Sequence, residues 1–219
     1  MSVHRPSISL IIGCIYDDIN DLEKLLNNLA DNTNYLNEII CVINGIGDRE
    51  YNHFNYLKTM ISETINIILV KEIIFPGNAR NIGIENAKSD YYAFLDTKTI
   101  PEKNWIKDCL LILREKKKQG ILGRTKYLGY SEFEKCFIAS TYGHKPLHTL
   151  PGTIINKYLF RKIGYFLPNI RAGEDTEWIE RALLFQEDIK EYKSPILKYK
   201  GIQSKTLREL CIKWYKNYS

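Results

Sequence analysis

No apolar run in this chain approaches the roughly 20 residues that a helix needs to cross a bilayer, so a membrane-spanning protein is not expected. The opening MSVHRPS carries charge but leads into a strand-like segment rather than the apolar stretch of a signal peptide. Cysteine is sparse and odd in number: Cys14, Cys41, Cys109, Cys136 and Cys211 are scattered, with no CxxC pair. Buried free thiols in a reducing compartment are the simplest account. The four histidines (His4, His53, His144 and His148) show no metal-ligand spacing. Internal repeats, low-complexity segments and linkers are missing as well. Neither sign of charge dominates. A net charge of +5 over 219 residues fits solvated lysine-rich faces better than a nucleic-acid surface, and leaves only a weak attraction to anionic substrates or lipid headgroups. A cytoplasmic protein without a nucleic-acid partner is the expectation.

What is present is an ordinary globular composition, 44% apolar and 26% charged, in a chain long enough for one α/β domain with a substantial core. Ser7 to Ile15 is an apolar strand followed by the loop Tyr16-Asp17-Asp18. Asp18 or Asp21 can cap a helix striped by Leu22, Leu25, Leu26 and Leu29. Glu38 to Ile43 reads as a second strand stopped by Asn44-Gly45, Tyr51 to Ile61 as a helix, and Ile65 to Val70 as a third strand. That alternation is the pattern of a parallel sheet with right-handed crossovers.

The most informative stretch is PGNARNIGIENAKSDYYAFLDTKTIP, from Pro76 to Pro101. Pro76-Gly77-Asn78 has turn chemistry, and Ala79, Ile82 and Ala87 give a helix an apolar side with Gly83 allowing close packing. Tyr91 to Leu95 is a run suited to a strand covered on both faces. Asp96 then stands where an open α/β sheet places ligand chemistry. Pro101 is placed to start a helix carrying Trp105, Cys109, Leu110 and Leu113, ended by Glu115 to Lys118 and Gly120. Ile121 to Leu128 reads as a strand and Tyr130 to His148 as an aromatic loop.

The segment from Gly77 to Asp96 resembles the donor half of the family 2 glycosyltransferases of the GT-A fold. Gly77, Ala79, Arg80, Asn81, Gly83, Ala87, Tyr92, Phe94, Leu95 and Asp96 follow that family's pattern in order and spacing. A second stretch, GTIINKYLFRKIGYFLPNIRAGEDTEWIER, is similar to the acceptor half of the same family through Leu159, Phe160, Ile163, Gly164, Phe166, Gly173, Glu174, Asp175 and Arg181. The resemblance implies an α/β fold of GT-A type, with a mostly parallel central sheet flanked by helices. It implies one domain over residues 1–203, with a donor half at about 7–100 and an acceptor half at about 101–203. Ile189 to Gly201 reads as its last strand. Ser204 to Tyr218 follows as an amphipathic basic helix with Leu207, Leu210, Cys211 and Trp214 on one face. That helix either packs on the domain or touches the membrane inner face through Trp214 and its lysines.

By the same resemblance, the function is transfer of a sugar from a nucleotide-diphosphate donor to a hydroxyl of a glycan or glycolipid acceptor, on an inverting course. Asp175 is then the general base, with Glu174 orienting it or binding the acceptor. Capping of a helix N-terminus is the alternative for this acidic pair. Asp96 would contact the ribose or the donor sugar. Asn44 could read the edge of the base or simply be a turn residue with a left-handed backbone. Tyr16 could stack on the base or close the core. Arg80 assists at the diphosphate or holds the start of its helix.

One departure from the family pattern stands out. The family holds the donor diphosphate through a divalent cation (Mn or Mg) on the second acid of an aspartate-x-aspartate motif. Here that position is Lys98, in Asp96-Thr97-Lys98-Thr99, and where a late histidine sometimes assists in the family this chain has Lys198-Tyr199-Lys200. No metal site is therefore expected beyond what Asp96 could offer, and the Lys98 ammonium could neutralise the leaving group instead. A binding protein without turnover is one alternative. A nucleotidyltransferase is another, disfavoured because only Gly13 follows the first strand in place of a glycine-rich signature.

Overall fold

The strand β1 (Ile8–Ile15) lies between β2 (Glu38–Asn44) and β4 (Tyr91–Asp96), parallel to both, and β3 (Ile65–Val70) extends the sheet beyond β2. Side-chain alternation explains why these runs are apolar throughout. Leu10, Ile12, Cys41 and Ile43 enter one core while Ile11, Ile40 and Val42 enter clusters on the opposite face, so both faces are covered. The computed structural model describes residues 6–48, 64–185, 188–191, 197–200 and 206–218. The helix expected over Tyr51 to Ile61, with Tyr51, Phe54, Leu57 and Ile61, lies outside them.

The first face is closed by α1 (Ile19–Asn28), the short α2 (Ala30–Thr33) and α4 (Trp105–Lys116). The second is closed by α3 (Pro76–Glu85), α6 (Lys157–Ile163) and α7 (Glu174–Leu183). An aromatic cluster of Phe94, Phe160, Phe166 and Trp178 lies beneath α6 and α7, and the Trp178 indole donates to the Gly164 carbonyl at 2.9 Å.

Past β4 the direction changes. β7 (Leu147–Asn156) runs antiparallel to β4, and β6 (Gly120–Leu128) antiparallel to β7. β8 (Ile189–Glu191) and β9 (Leu197–Lys200) lie parallel to β6 along successive parts of its length, and β9 pairs with the two-residue β5 (Thr99–Ile100). One mostly parallel sheet with flanking helices therefore spans both halves, as the sequence leads one to expect.

Several boundaries differ from the sequence reading. Pro76 is not in a turn but opens α3 as its first residue, where its missing N–H leaves no partner wanting. Pro101 does not start a helix. Pairing of Ile100 with Lys198 holds the chain extended up to it, and α4 begins at Trp105. That helix ends on Lys117 in the left-handed region (φ 51°), while Gly120 belongs to β6. The stretch from Tyr130 to His148 is not a loop. Ser131 and Glu134 form a reciprocal capping box that starts α5 (Glu132–Thr141), and β7 begins at Leu147. The single last strand is in fact two, β8 and β9.

The C-terminal helix α8 (Leu207–Tyr218) buries Leu210, but Leu207 and Cys211, expected on the same packed face, are exposed. The Trp214 side chain lies outside what is described. Among the described residues no helix is long and apolar enough to cross a membrane.

Candidate active site

The carboxyl ends of β1, β2, β3 and β4 share one edge of the sheet, because Gly13 pairs with Asp96, Ile15 with Asn44 and Asn44 with Val70. A cleft of about 570 Å³ opens there, where parallel α/β sheets gather ligand chemistry. Its wall includes Asp18, Asn44, Arg80, Asp96, Lys98 and Asp175. All of these but Asp18 are site residues expected from sequence, and Glu174 joins them just behind the wall, hydrogen-bonded to Arg80.

Arg80 is the organising cation. It sits one turn into α3, its side chain only 9% exposed, and donates through one terminal nitrogen to Glu174 Oε1 at 2.5 Å. Its other terminal nitrogen donates to Asp96 Oδ1 at 3.1 Å. Burial alone disfavours its charge, but Asp96, Glu174 and Asp175 together hold the guanidinium firmly protonated. Glu174 is also buried. Desolvation lifts its pKa above the usual carboxylate range, and the Arg80 charge and hydrogen bond oppose that rise.

The acidic pair at Glu174 and Asp175 does not cap its own helix. The N-cap is Gly173, left-handed at φ 91°, and no side chain caps it. Glu174 reaches instead to Arg80, while Asp175 is half-buried, lines the cleft and accepts from the Thr176 amide at 2.8 Å. Three carboxylates in the first turn complement the helix dipole. Arg181 fixes the helix from its last turn, gripping Glu177 at 2.6 and 2.8 Å and donating to the carbonyls of Ile163 and Tyr165. Asn81, next to Arg80, exchanges two hydrogen bonds with the Phe166 backbone. Neighbouring residues of α3 thus reach α7 and the segment just before it.

Asn44 ends β2 with its side chain engaged by backbone. Nδ2 donates to the Cys14 carbonyl at 3.0 Å and Oδ1 accepts from the Ile74 amide at 3.2 Å. It shapes the cleft wall, and the left-handed residue is Gly45 rather than Asn44. Tyr16 packs against the first core and is not among the cleft-lining residues, which favours the core-closing alternative over base stacking.

Lys98 reaches into the cleft with its side chain 14% exposed and its ammonium 3.0 Å from Asp18 Oδ1. Asp18 makes no cap for α1; the ion pair takes its carboxylate instead. This chemistry does not fit a divalent cation. Asp96 is engaged by a guanidinium, the second acid is an ammonium, and no three His, Cys, Asp or Glu side chains among the described residues converge to hold a metal.

Polar cleft residues that the sequence does not single out as site residues include Arg171 and the tyrosines Tyr127, Tyr142 and Tyr199. Tyr142 follows α5, whose Ser131-to-Glu134 capping box was the overlooked signal. Cys14 also borders the cleft, its thiol pushed up to about 12 by burial and then by Asp18 and Asp21, so it is an inert neutral group there.

Comparison with known proteins bears on the fold and the family. No curated protein sequence matches the chain. Among solved structures, S. aureus TarS residues 1–349 in complex with UDP-GlcNAc superposes with a TM-score of 0.67 at 17% identity, covering 91% of this chain and 60% of that one. The same fragment with UDP gives 0.65 at 18% identity, covering 89% and 60%. At that identity the likeness concerns the fold, which is of GT-A type. This chain spans about 60% of the length of those fragments. The profile of glycosyl transferase family 2 matches residues 10–172, from β1 to just before Glu174, and the chain belongs to that family.

Proposed function

We propose that this chain transfers a sugar from a nucleotide-diphosphate donor to a hydroxyl of a glycan or glycolipid acceptor. The observation that carries the reading is the cleft itself. Asp96, Lys98 and Asp175 line it together, and Arg80 links Asp96 to the helix that bears Asp175. Asp175 takes the proton of the acceptor hydroxyl as that oxygen attacks the anomeric carbon. The bond from that carbon to the diphosphate oxygen breaks on the opposite side, so configuration inverts and the electron pair leaves with the nucleotide.

The departing charge meets Lys98 and Arg171, both on the cleft wall, in the place of a divalent cation. Asp96 accepts a hydrogen bond from the ribose or the donor sugar. UDP is the first donor fragment to try, since a structure of the same fold was obtained with it.

Calorimetric titration with UDP, run with EDTA and again with manganese, tests the donor site. Equal affinity in both, lost in Lys98→Ala, is the expected result. Binding only with manganese would remove Lys98 from its role, and no binding in either would overturn the donor reading. Lys98 in place of the acid also favours a second reading, donor binding without turnover, which detection of sugar transfer would exclude.

Peripheral membrane contact through α8 draws support from its exposed Leu207, Ile212 and Tyr215 beside Arg208. Loss of liposome flotation on deleting residues 204–219 is its test.

A further inference from the structure

We propose that Tyr127, Tyr142 and Tyr199 form a carbohydrate subsite that receives the acceptor as a pyranose ring. This rests on the transfer reaction proposed above and names the acceptor class for it. Three separate elements bring the rings together. Tyr127 on β6 and Tyr199 on β9 are direct register partners, and Tyr142 follows the end of α5. Tyr127 stacks on Tyr142 with centroids 3.9 Å apart and planes 7° from parallel, and meets Tyr199 at 5.2 Å. Phe137 buttresses Tyr142 edge-on at 6.0 Å.

All three rings border the same cleft as Asp96 and Asp175. The charges of the two acids reach the phenols. Burial raises the Tyr127 phenol pKa first, with Asp96 and Asp175 adding to it; Tyr142 responds to burial and Asp175, and Tyr199 to burial and Asp96. The phenols therefore stay neutral and can donate hydrogen bonds.

Packing alone would be served by phenylalanine. A stack of neutral phenols beside the general base offers two things together, flat apolar ring surface and hydroxyl donors. A pyranose presents the matching pair: a face of axial C–H groups and a rim of hydroxyls. An acyclic polyol chain has no rigid C–H face to lay on the rings, and a lipid chain has no use for the hydroxyls.

Saturation-transfer NMR on the full chain with UDP present tests this, using methyl glucopyranoside, methyl galactopyranoside and ribitol as probes. Ring protons of at least one pyranoside should receive saturation and ribitol should not. Tyr142→Ala should weaken that pyranoside by about tenfold, whereas Tyr142→Phe, which keeps the ring, should retain most of the binding. UDP titration of each variant reports that the fold and the donor site are intact. Equal pyranoside binding by Tyr142→Ala and the parent, or equal saturation of ribitol, overturns the subsite. UDP binding without any pyranoside binding also overturns it and leaves the transfer reading standing. Tyr142-dependent pyranoside binding without UDP binding keeps the subsite and removes the transfer reading, and binding of neither ligand removes both.

Discussion

Arg80 and Glu174 are 94 positions apart in the chain, yet a guanidinium nitrogen of one lies 2.5 Å from a carboxylate oxygen of the other. The contact clamps α3 to α7 and lies on the residue before Asp175. A buried ion pair is weak support for stability as a whole, but removing one partner is costly because the other charge stays behind.

Arg80→Ala should therefore lower the unfolding free energy by about 3–5 kcal/mol in urea denaturation. Adding Glu174→Gln should recover part of that loss, with a coupling energy of about 1–3 kcal/mol. A double-variant loss equal to the sum of the Arg80→Ala and Glu174→Gln losses would show that the pair is not coupled.

Asp175→Asn keeps the shape of the side chain and removes its basicity. Sugar transfer should fall by about 10²–10⁴-fold while UDP affinity by calorimetry stays unchanged. Retained turnover would assign the base elsewhere.

Lys98→Asp reverses the charge beside Asp18 and Asp96 and puts three carboxylates on the cleft wall. UDP binding should then depend on manganese and vanish with EDTA. Cation-independent binding by this variant would show that Lys98 does not stand in for a metal.

The first hundred residues are the more legible part, and for a physical reason. Its strands are covered on both faces, so Ile8 to Ile15 and Tyr91 to Leu95 are apolar runs visible without knowing their neighbours. Local signals missed there were of a different kind. Asp18 was read as a cap because caps are local, whereas its actual partner, Lys98, is 80 residues away. Arg80 with Glu174, and Tyr127 with Tyr142 and Tyr199, are likewise products of topology that no spacing reveals. The capping box at Ser131 and Glu134 is a local signal for α5, the helix after which Tyr142 follows, and it is legible in the sequence.

The thiols give a pH-dependent test. Burial pushes Cys14 and Cys41 up to about 12 from 9.0, so below pH 9 they are neutral in both folded and unfolded chains and their full contribution to stability is present. Above pH 9 the unfolded chain ionises first, and stability should fall by about 1.4 kcal/mol per pH unit for each buried thiol. The loss should continue until the folded thiols also ionise near pH 12. Thermal unfolding midpoints from pH 8 to 11 measure it. In the native state, iodoacetamide should label the exposed Cys136 and Cys211 and spare Cys14, Cys41 and Cys109.

Gly77 occupies the second position of α3, where an added Cβ would strike the Leu167 carbonyl and lie 3.3 Å from Glu174 Cγ. Gly77→Ala should destabilise by about 1–3 kcal/mol, although alanine is the better helix former by about 1 kcal/mol. Unchanged stability in chemical denaturation would mean the loop at Leu167 yields freely.

The ion pair of Lys98 with Asp18 also links the histories of two distant positions. An acid at position 98 facing Asp18 would set two carboxylates side by side without a counter-charge, and a neutral residue at position 18 would leave a mostly buried ammonium alone. Neither single step is comfortable, so substitutions at 18 and 98 should covary among relatives. The pair is then a signature by which chains with this arrangement can be told, from sequence alone, from those that keep two acids.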